Sequence, residues 1–183
     1  SAGVETISSQ ALAEQFHLNA AQIRKDLAYF GEFGVRGVGY DVGRLIDEIR
    51  KRLGLHRSWN VIIVGSGKLG TALARYRGFE KQGFNLIGMF DADPGVIGRD
   101  RGAGPVLPVY ELENFIKTNT VDIAIITTPA AVAQSIIDRV VKAGVPSILN
   151  FAPVRATAAG SAVLRQVDLS TELMILSFYL NRG

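Results

Sequence analysis

The sequence predicts an α/β protein with a small helical domain at its N-terminus and a doubly wound parallel sheet after it. Before residue 58 the chain shows short helical patterns and a glycine-punctuated stretch, whereas after it short apolar runs alternate with helical segments. These runs show little alternation of apolar and polar residues, as is typical of parallel strands buried on both faces. We expect domains at residues 1–57, 58–166 and 167–183.

The second domain carries the clearest periodicity. Its elements alternate in the order that favours a doubly wound sheet. The predicted strands are 61–64, 86–90, 123–127 and 147–149, and the predicted helices are 67–77, 109–117 and 130–143.

Composition narrows the class of protein. The 183 residues are 48% hydrophobic and contain no Cys, which excludes a disulfide framework, thiol catalysis and thiolate metal sites. No apolar run is long enough to span a bilayer, so we expect a cytoplasmic protein without a membrane as partner. We also expect no metal partner. The net charge of +3 is modest, so it does not by itself predict nucleic-acid binding. Such a prediction must depend on where the charged residues lie.

A glycine-rich turn directly follows the first predicted strand of the second domain. Its residues are Gly65-Ser66-Gly67-Lys68-Leu69-Gly70. The first glycine permits a tight turn, the second lets the backbone approach a pyrophosphate, and the third lets the helix pack closely on the strand. The helix N-terminus offers unpaired N–H groups to the phosphates. We interpret this as a Rossmann dinucleotide site, although such a turn in isolation can be only a fold feature.

Asp91 ends the next predicted strand, where a carboxylate can accept hydrogen bonds from an adenosine ribose. No Arg follows it immediately, so the sequence favours NAD(H) over NADP(H). An ATPase-type phosphate loop is disfavoured, because Gly67-Lys68 is followed by Leu69 and not by a Ser or Thr that could reach Mg²⁺.

Further candidates lie where other predicted strands end. Ligands of open α/β sheets bind at the carboxyl edge, so these residues should face the crevice of the glycine turn and receive the nicotinamide. Asp93 could instead be only a turn residue, and the strand-end loops could be ordinary connections. The candidates are Asp93, Thr127, Thr128, Pro129, Asn150, Ala152 and Pro153.

No catalytic apparatus accompanies this predicted site. A dehydrogenase needs a proton donor or acceptor beside the nicotinamide and a domain that holds its substrate. Both histidines, His17 and His56, precede the nucleotide-binding domain. Lys68, Tyr76 or Asp168 could carry a proton, but no Tyr-x-x-x-Lys or His–Asp pair supports them. We predict a binding domain that reports its ligand, with an NAD-dependent oxidoreductase as the alternative.

Two short helices are predicted ahead of this domain. Ser8 and Ser9 can cap a first helix, and Asn19 can cap a second one in an approximate capping box with Gln22. The second helix has an inward apolar face, Ile23, Leu27 and Phe30, that is expected to meet Leu12, Phe16 and Leu18.

The outward face of the second helix predicts DNA binding. It displays amide, basic and phenolic groups in the arrangement of a helix-turn-helix. Lys and Arg can read guanine edges or contact phosphates, and Gln can pair with adenine. A solvated helix face is the alternative. The candidate contacts on this helix are Gln22, Arg24, Lys25 and Tyr29.

Four glycines in residues 31–40 predict a tight β-hairpin after the second helix. Arg36 and Gly37 can lie at its tip, where an Arg beside a permissive glycine is suited to a narrow minor groove. The pattern indicates a winged helix, although the hairpin could instead only pack on the neighbouring domain. A winged helix normally has another helix ahead of these elements, and we expect that helix to be missing from the chain as printed.

These segments together resemble the Rex family of redox-sensing repressors over nearly the whole chain. The resemblance implies a homodimer that binds a palindromic operator and releases it when NADH, the inducer, binds in competition with NAD⁺. The nucleotide domain is also similar to the CoA-binding domain of succinyl-CoA synthetases, so a CoA-type scaffold stays an alternative. The residues that carry the resemblance are 22–34, 36–40, 65–70, 90–94 and 148–153.

The resemblance also implies residue roles. Arg24, Lys25 and Arg36 correspond to DNA contacts, and Tyr76 and Asp168 correspond to positions of the switch. Residues 173–180 are apolar nearly all round and must be buried against something. Packing within the chain is one solution, whereas the resemblance implies a dimerisation helix exchanged between subunits.

Overall fold

The computed structural model divides the chain into two compact units, Ser1–Arg57 and Ser58–Gly183. Within the described ranges, no helix has the length and apolar character needed to cross a membrane. The residues described are 6–31, 34–35, 37–52, 54 and 57–181.

The first unit contains the helices and the hairpin that the sequence predicts. An additional short strand precedes the first helix. In chain order the elements are β1 (Thr6–Ile7), α1 (Ser9–Phe16), α2 (Ala20–Phe30), β2 (Gly34–Val35), β3 (Gly39–Asp41) and α3 (Val42–Arg52).

Side-chain caps begin the first two helices. The Ser8 hydroxyl accepts the Ala11 N–H at 3.0 Å, and Asn19 Oδ1 accepts the Ala21 N–H at 2.8 Å. These caps satisfy N–H groups that a helix leaves unpaired. The expected capping box is not completed, because the Gln22 amide donates to Asp26 Oδ1 at 2.6 Å and does not reach back to the cap residue.

The apolar core of the first unit is small. Ala13, Ile23 and Leu45 are buried, and they join the three helices. The prediction that Phe16 and Leu18 face inward is wrong, since they are 59% and 61% exposed. Phe16 is the last residue of α1, and Leu18 follows His17, whose left-handed conformation ends the helix.

The hairpin of the first unit is part of a three-stranded antiparallel sheet in the order β1-β3-β2. Gly34 lies opposite Tyr40, and Val35 lies opposite Gly39. Gly39 has a φ of +108°, and a Cβ there would lie 2.5 Å from the carbonyl oxygen of Ile7, so only glycine lets β1 approach this closely.

The second unit alternates strands and helices as the sequence predicts. A 3-10 turn at Val109–Glu111 precedes its third helix. The elements are β4 (Trp59–Val64), α4 (Lys68–Ala74), α5 (Gly78–Lys81), β5 (Phe84–Asp91), β6 (Leu107–Pro108), α6 (Leu112–Thr118), β7 (Ile123–Ile126), α7 (Ala130–Lys142), β8 (Ser147–Asn150), β9 (Val163–Gln166) and α8 (Leu169–Leu180).

The six strands form one parallel sheet in the order β6-β5-β4-β7-β8-β9. The chain runs outward from β4 in one direction and then returns to β7 on its other side. The predicted doubly wound sheet is therefore confirmed, and its topological switch point lies between the carboxyl ends of β4 and β7. Ligands bind at this point in open α/β sheets.

The sheet is covered differently on its two faces. On one face, Ile62, Phe90 and Ile126 pack against α6 and α7 in the larger core. On the other face, Ile63 and Met89 pack with residues of α4 and α5 in a smaller core. The second core covers mainly β4 and β5, because the described residues 151–162, between β8 and β9, form no helix.

Three details differ from the sequence-based expectation. The strands β6 and β9 were not predicted, because β6 has only two residues, one of them Pro, and β9 is an edge strand with three of its four residues exposed. The helix expected over 67–77 ends earlier, at Ala74, and the Tyr76 ring after it packs on Phe79 of the separate short helix α5, with ring centroids 5.1 Å apart.

Candidate nucleotide-binding site and nucleic-acid interface

The glycine turn is built by close backbone contacts at the switch point. Gly65 has a φ of +106°, and a Cβ there would lie 2.8 Å from the backbone carbon of Thr127. The Thr127 hydroxyl donates to the Gly65 carbonyl at 2.7 Å. A Cβ on Gly70 would lie 1.9 Å from the same Gly65 carbonyl oxygen. Gly65 and Gly70 are therefore required by the fold itself.

Gly67 differs from the other two glycines of the turn. Its φ is −64°, and a Cβ there would have no atom within 4 Å. The space beside it is open, so the fold alone does not require a glycine at this position. A ligand that approaches the backbone at the start of α4 would require a glycine there.

Asp91 organises the turn from the neighbouring strand. The N–H and the hydroxyl of Ser66 donate to its Oδ2 at 2.6 and 2.7 Å, and the Asp93 N–H donates to its Oδ1 at 3.0 Å. Partial burial acts to raise the pKa of Asp91, but these hydrogen bonds outweigh it and leave the pKa below its usual value. The carboxylate is ionised at neutral pH and also lines the cleft.

A cleft of about 510 Å³ lies in front of the turn. It brings together four of the predicted cofactor residues besides Asp91, whereas Leu69 is an exposed residue of α4 outside the lining and Gly70 is buried beneath it. Arg101 was not predicted. The lining residues are Ser66, Gly67, Lys68, Thr71, Asp91, Asp93, Val96 and Arg101.

The presence of Arg101 in the cleft bears on the expected preference for NAD(H) over NADP(H). NAD(H) is expected over NADP(H) because no Arg follows Asp91 immediately. Arg101 reaches the same cleft from further along the chain. Asp93, also in the cleft, accepts the Gly95 N–H at 2.8 Å and is therefore a turn residue as well.

The end of β7 presents one polar atom without a partner. Thr127 uses its hydroxyl to hold the glycine turn, but the Thr128 Oγ1 is buried and has no hydrogen-bond partner among the described residues. A buried hydroxyl without a partner is costly, so this atom is a candidate for contact with a ligand. Pro129 follows and is the exposed cap residue of α7.

The end of β8 is held by an amide network. Asn150 is fully buried; its Oδ1 accepts the Ala152 N–H at 3.0 Å, and its Nδ2 donates to Gln166 Oε1 at 2.7 Å. Gln166 in turn donates to the Ala152 carbonyl at 2.9 Å. Sequence reasoning missed Gln166, because β9 was not predicted. The network fixes the loop that ends in the exposed Pro153.

The predicted DNA contacts of α2 are on the exposed side of that helix. Lys25 is exposed and the Tyr29 side chain is 90% exposed. Gln22 is exposed but bonded to Asp26, and the Arg24 guanidinium donates to the Ser9 hydroxyl at 3.0 Å. Arg24 therefore also joins α2 to the start of α1.

At the hairpin tip, Gly37 has a φ of +83° and open space around it. Arg36, the predicted minor-groove contact, lies outside the described residues.

The two predicted switch residues both belong to the second unit. Tyr76 is 61% exposed, and Gly78 lies beneath its ring, since a Cβ there would be 2.3 Å from the Tyr76 Cζ. Asp168 begins α8 and accepts both the hydroxyl and the N–H of Ser170, at 2.6 and 3.0 Å. These bonds lower the pKa of Asp168.

Two family models match this chain, one over its N-terminal residues and one over the residues that contain the glycine turn. Residues 56–154 match the CoA binding domain family, and residues 1–28 match the family described as putative DNA-binding protein N-terminus.

Two relatives that match nearly the whole of this chain are redox-sensing repressors. The redox-sensing transcriptional repressor Rex of Carboxydothermus hydrogenoformans is 48% identical over 98% of this chain and 86% of its own length. Rex 1 of Thermotoga maritima is 45% identical over 98% of this chain and 86% of its own length.

Solved structures of another repressor, RSP, also match nearly the whole of this chain. RSP, described as a Rex-family repressor, is 42% identical in its complex with β-NAD⁺ and operator DNA, with a TM-score of 0.92 over 98% of this chain and 82% of RSP. RSP in complex with β-NADH is 41% identical, with a TM-score of 0.83 over 98% of this chain and 84% of RSP.

A helix-turn-helix unit and a Rossmann domain in one chain define a nucleotide-responsive transcriptional regulator. The chain belongs to the Rex family of redox-sensing transcriptional repressors. Both the predicted resemblance and the predicted fold class are confirmed. The prediction that the chain is not an enzyme is confirmed by the same membership, since these relatives are repressors with a dehydrogenase-like nucleotide fold.

Proposed function

We propose that this chain represses transcription as a homodimer bound to a palindromic operator and that NADH binding releases the DNA. The observation that carries this proposal is the likeness, over 98% of the chain, to a repressor solved with β-NAD⁺ and operator DNA together. NADH is the inducer and NAD⁺ the competing ligand. Action on an operator also leads us to propose a cytoplasmic location.

We assign the adenosine and pyrophosphate half of the nucleotide to the cleft in front of the glycine turn. Gly67 supports this assignment because it alone of the three glycines has open space where a ligand would lie. Lys68 adds a positive charge at the start of α4, and Asp91 is an ionised acceptor for ribose hydroxyls.

We assign the nicotinamide to the strand ends on the other side of the switch point. The buried hydroxyl of Thr128 supports this, because it lacks a partner among the described residues. The loop after β8 has a defined backbone that a carboxamide could contact. The residues proposed for this end are Thr127, Thr128, Pro129, Asn150, Ala152 and Pro153.

We assign operator binding to the exposed face of α2 and to the hairpin tip. Lys25 and Tyr29 are exposed on α2 together with Gln22 and Arg24, and Gly37 is exposed at the hairpin tip. Replacing Lys25 with Ala should weaken operator binding and leave NADH affinity unchanged. The matched control is Lys142→Ala, which removes an exposed lysine at the end of α7 in the nucleotide unit.

We propose residues 167–183 as the dimerisation segment. The apolar side chains of α8 are exposed; Leu173, for instance, is 67% and Phe178 is 53% exposed. The sheet face left uncovered by α4 and α5 contains an apolar cavity of about 330 Å³ lined by Val61, Ile63, Leu86, Ile125 and Leu149, among others. An exposed apolar helix and an apolar cavity on one chain can cover each other reciprocally in a second copy.

Light scattering tests this interface. Replacing Leu173 and Phe178 with Glu should convert the dimer to monomers, whereas Tyr110→Ser, at an exposed aromatic residue elsewhere in the unit, should leave it dimeric. A Leu173→Glu, Phe178→Glu protein that stays dimeric would contradict an exchanged helix.

The switch residues connect this interface to the nucleotide. Coupling requires NADH to bind the DNA-incompetent arrangement of the dimer more tightly than the competent one. Tyr76 lies between α4 and α5, and Asp168 caps α8, so we propose that they bias these arrangements.

The deciding experiment titrates a fluorescent palindromic operator with the dimer in the presence of NADH or NAD⁺. NADH should weaken operator binding much more than NAD⁺ does. Equal effects of the two nucleotides would refute redox sensing.

The match of residues 56–154 to the CoA binding domain family favours one second candidate, a CoA-type ligand. If CoA displaces NADH from the chain at comparable concentrations, the site is a broader nucleotide site. If CoA does not compete, this alternative is excluded.

A further inference from the structure

A cationic side chain that sequence reasoning did not select lies in the cleft of the glycine turn. Arg101 lines it together with Gly67, Lys68 and Asp91 and is partly buried. Its guanidinium makes no hydrogen bond or ion pair with another described residue. Burying part of a charge without a protein partner is unfavourable, so the position suits a residue that meets a ligand.

The loop that carries Arg101 has a defined structure. The Gly98 N–H donates to the Val106 carbonyl at 2.8 Å, and the Val106 N–H donates to the Arg99 carbonyl at 3.0 Å. The buried Val106 anchors the loop beside the sheet. At its other end, Gly102 is so close to the end of α4 that a Cβ there would lie 2.7 Å from Cγ of Arg75, the residue after the helix. These contacts fix the backbone on both sides of Arg101.

The two carboxylates of the cleft are occupied by other donors. Asp91 accepts from Ser66 and from the Asp93 N–H, and Asp93 accepts from the Gly95 N–H. The donors of Arg101 therefore remain available. A guanidinium is always charged and presents a planar set of donors that matches a phosphate in two-point contact.

We infer that Arg101 contacts a phosphate of the adenosine diphosphate half of the nucleotide. This rests on the proposed NAD(H) site and adds a ligand contact to it. NADH and NAD⁺ share the adenosine diphosphate half, so Arg101 strengthens the binding of both by the same factor. It sets affinity for the nucleotide and does not distinguish its redox state.

Calorimetric titration of the full chain with ADP and with adenosine tests the assignment. Arg101→Gln should weaken ADP binding roughly tenfold and leave adenosine binding unchanged, because only ADP carries the phosphates. NADH and NAD⁺ should weaken by the same factor as ADP. Arg101→Lys retains the charge and should recover part of the loss.

Arg99→Gln is the matched control. Arg99 lies in the same loop, is exposed, and is outside the cleft lining, so the same loss of charge there should leave ADP affinity unchanged. Unfolding temperatures of the variants should equal that of the parent chain.

Three results would overturn the assignment. They are unchanged ADP affinity in Arg101→Gln, an equal loss for adenosine, or an equal loss in Arg99→Gln. If the parent chain itself binds neither ADP nor NADH, the proposed nucleotide site fails together with the role of Arg101. Failure of Arg101 alone instead leaves NADH binding by the parent chain intact.

Discussion

The two units of the chain place their functional side chains by different means. In the nucleotide unit, the glycine turn lies at the end of strands whose side chains, such as Ile62 and Phe90, are fully buried. In the N-terminal unit, the described core is small, and helix caps and a short sheet position the exposed face of α2 that we propose for operator binding. Dense burial fixes the proposed nucleotide cleft, whereas side-chain caps are enough to orient the helix proposed to bind DNA.

Core truncations should show the largest difference between the units. Ile62→Ala removes a fully buried side chain from the centre of the sheet and should cost about 4 kcal/mol of unfolding free energy. Leu45→Ala in the small core should cost about 2 kcal/mol. Denaturant unfolding measured by fluorescence of the one tryptophan, Trp59, and by circular dichroism checks this. Equal costs would mean that the units are equally well packed.

The glycine turn offers a sharper contrast within one unit. Gly70→Ala should cost about 3 kcal/mol, because the new methyl group overlaps the Gly65 carbonyl. Gly67→Ala should cost less than about 1 kcal/mol, since its surroundings are open. Gly67→Ala should nevertheless weaken NADH binding in calorimetry. If it binds NADH as the parent does, the nucleotide does not approach this backbone.

In the N-terminal unit, removal of a cap should have a moderate effect. Asn19→Ala leaves the Ala21 N–H without its acceptor and should cost about 1 kcal/mol. Operator affinity should fall with it, because the cap determines where α2 begins. Asn19→Ser, which can cap the helix, should restore both properties, and a failure to restore them would indicate another role for the amide.

The smallest effect is expected at an ion pair on the surface of the nucleotide unit. Arg139 donates to both carboxylate oxygens of Glu113, and this hydrogen bond, together with the positive charge, lowers the pKa of Glu113. Because the folded-state pKa of Glu113 is lowered, its carboxylate contributes stability at pH values above the ordinary pKa of 4.5. This contribution is lost as the pH falls through the folded-state pKa.

Glu113→Gln should therefore cost about 0.5 kcal/mol at neutral pH, because the pair is partly exposed to solvent. The difference from the parent chain should disappear in acid. A difference that persists at low pH would assign the effect to packing and not to charge.

Local chemistry explains why the turn and the caps were predictable. The tight turn at Gly65, with its positive φ, and the contact of Gly70 with the Gly65 carbonyl arise within a strand, turn and helix that are contiguous in sequence. Asn19 was predicted as a cap for the same reason, because its acceptor and the N–H it binds are two residues apart. The additional contact of Gly65 with Thr127 comes from a distant strand and was not predicted.

Residues brought into the site by distant segments were not predictable. Arg101 enters the cleft only because its loop packs between α4 and the sheet, and Gln166 reaches the end of β8 only because an edge strand pairs there. That edge strand is exposed at three of its four residues, and its short sequence has no periodicity to distinguish it. Long-range pairing, and not local propensity, determines both positions.

The fit among Gly65, Gly70 and Thr127 leaves no room for the turn to adjust to its ligand. Its shape exists before the nucleotide arrives, so binding there costs little ordering of the chain. The part of NADH that fits such a turn is identical in NAD⁺, and a preorganised surface treats identical groups alike. With the assignments proposed above, two tasks are separated in space: the cleft of the glycine turn binds either nucleotide, and discrimination between the reduced and the oxidised nicotinamide belongs to the strand ends beyond Thr127.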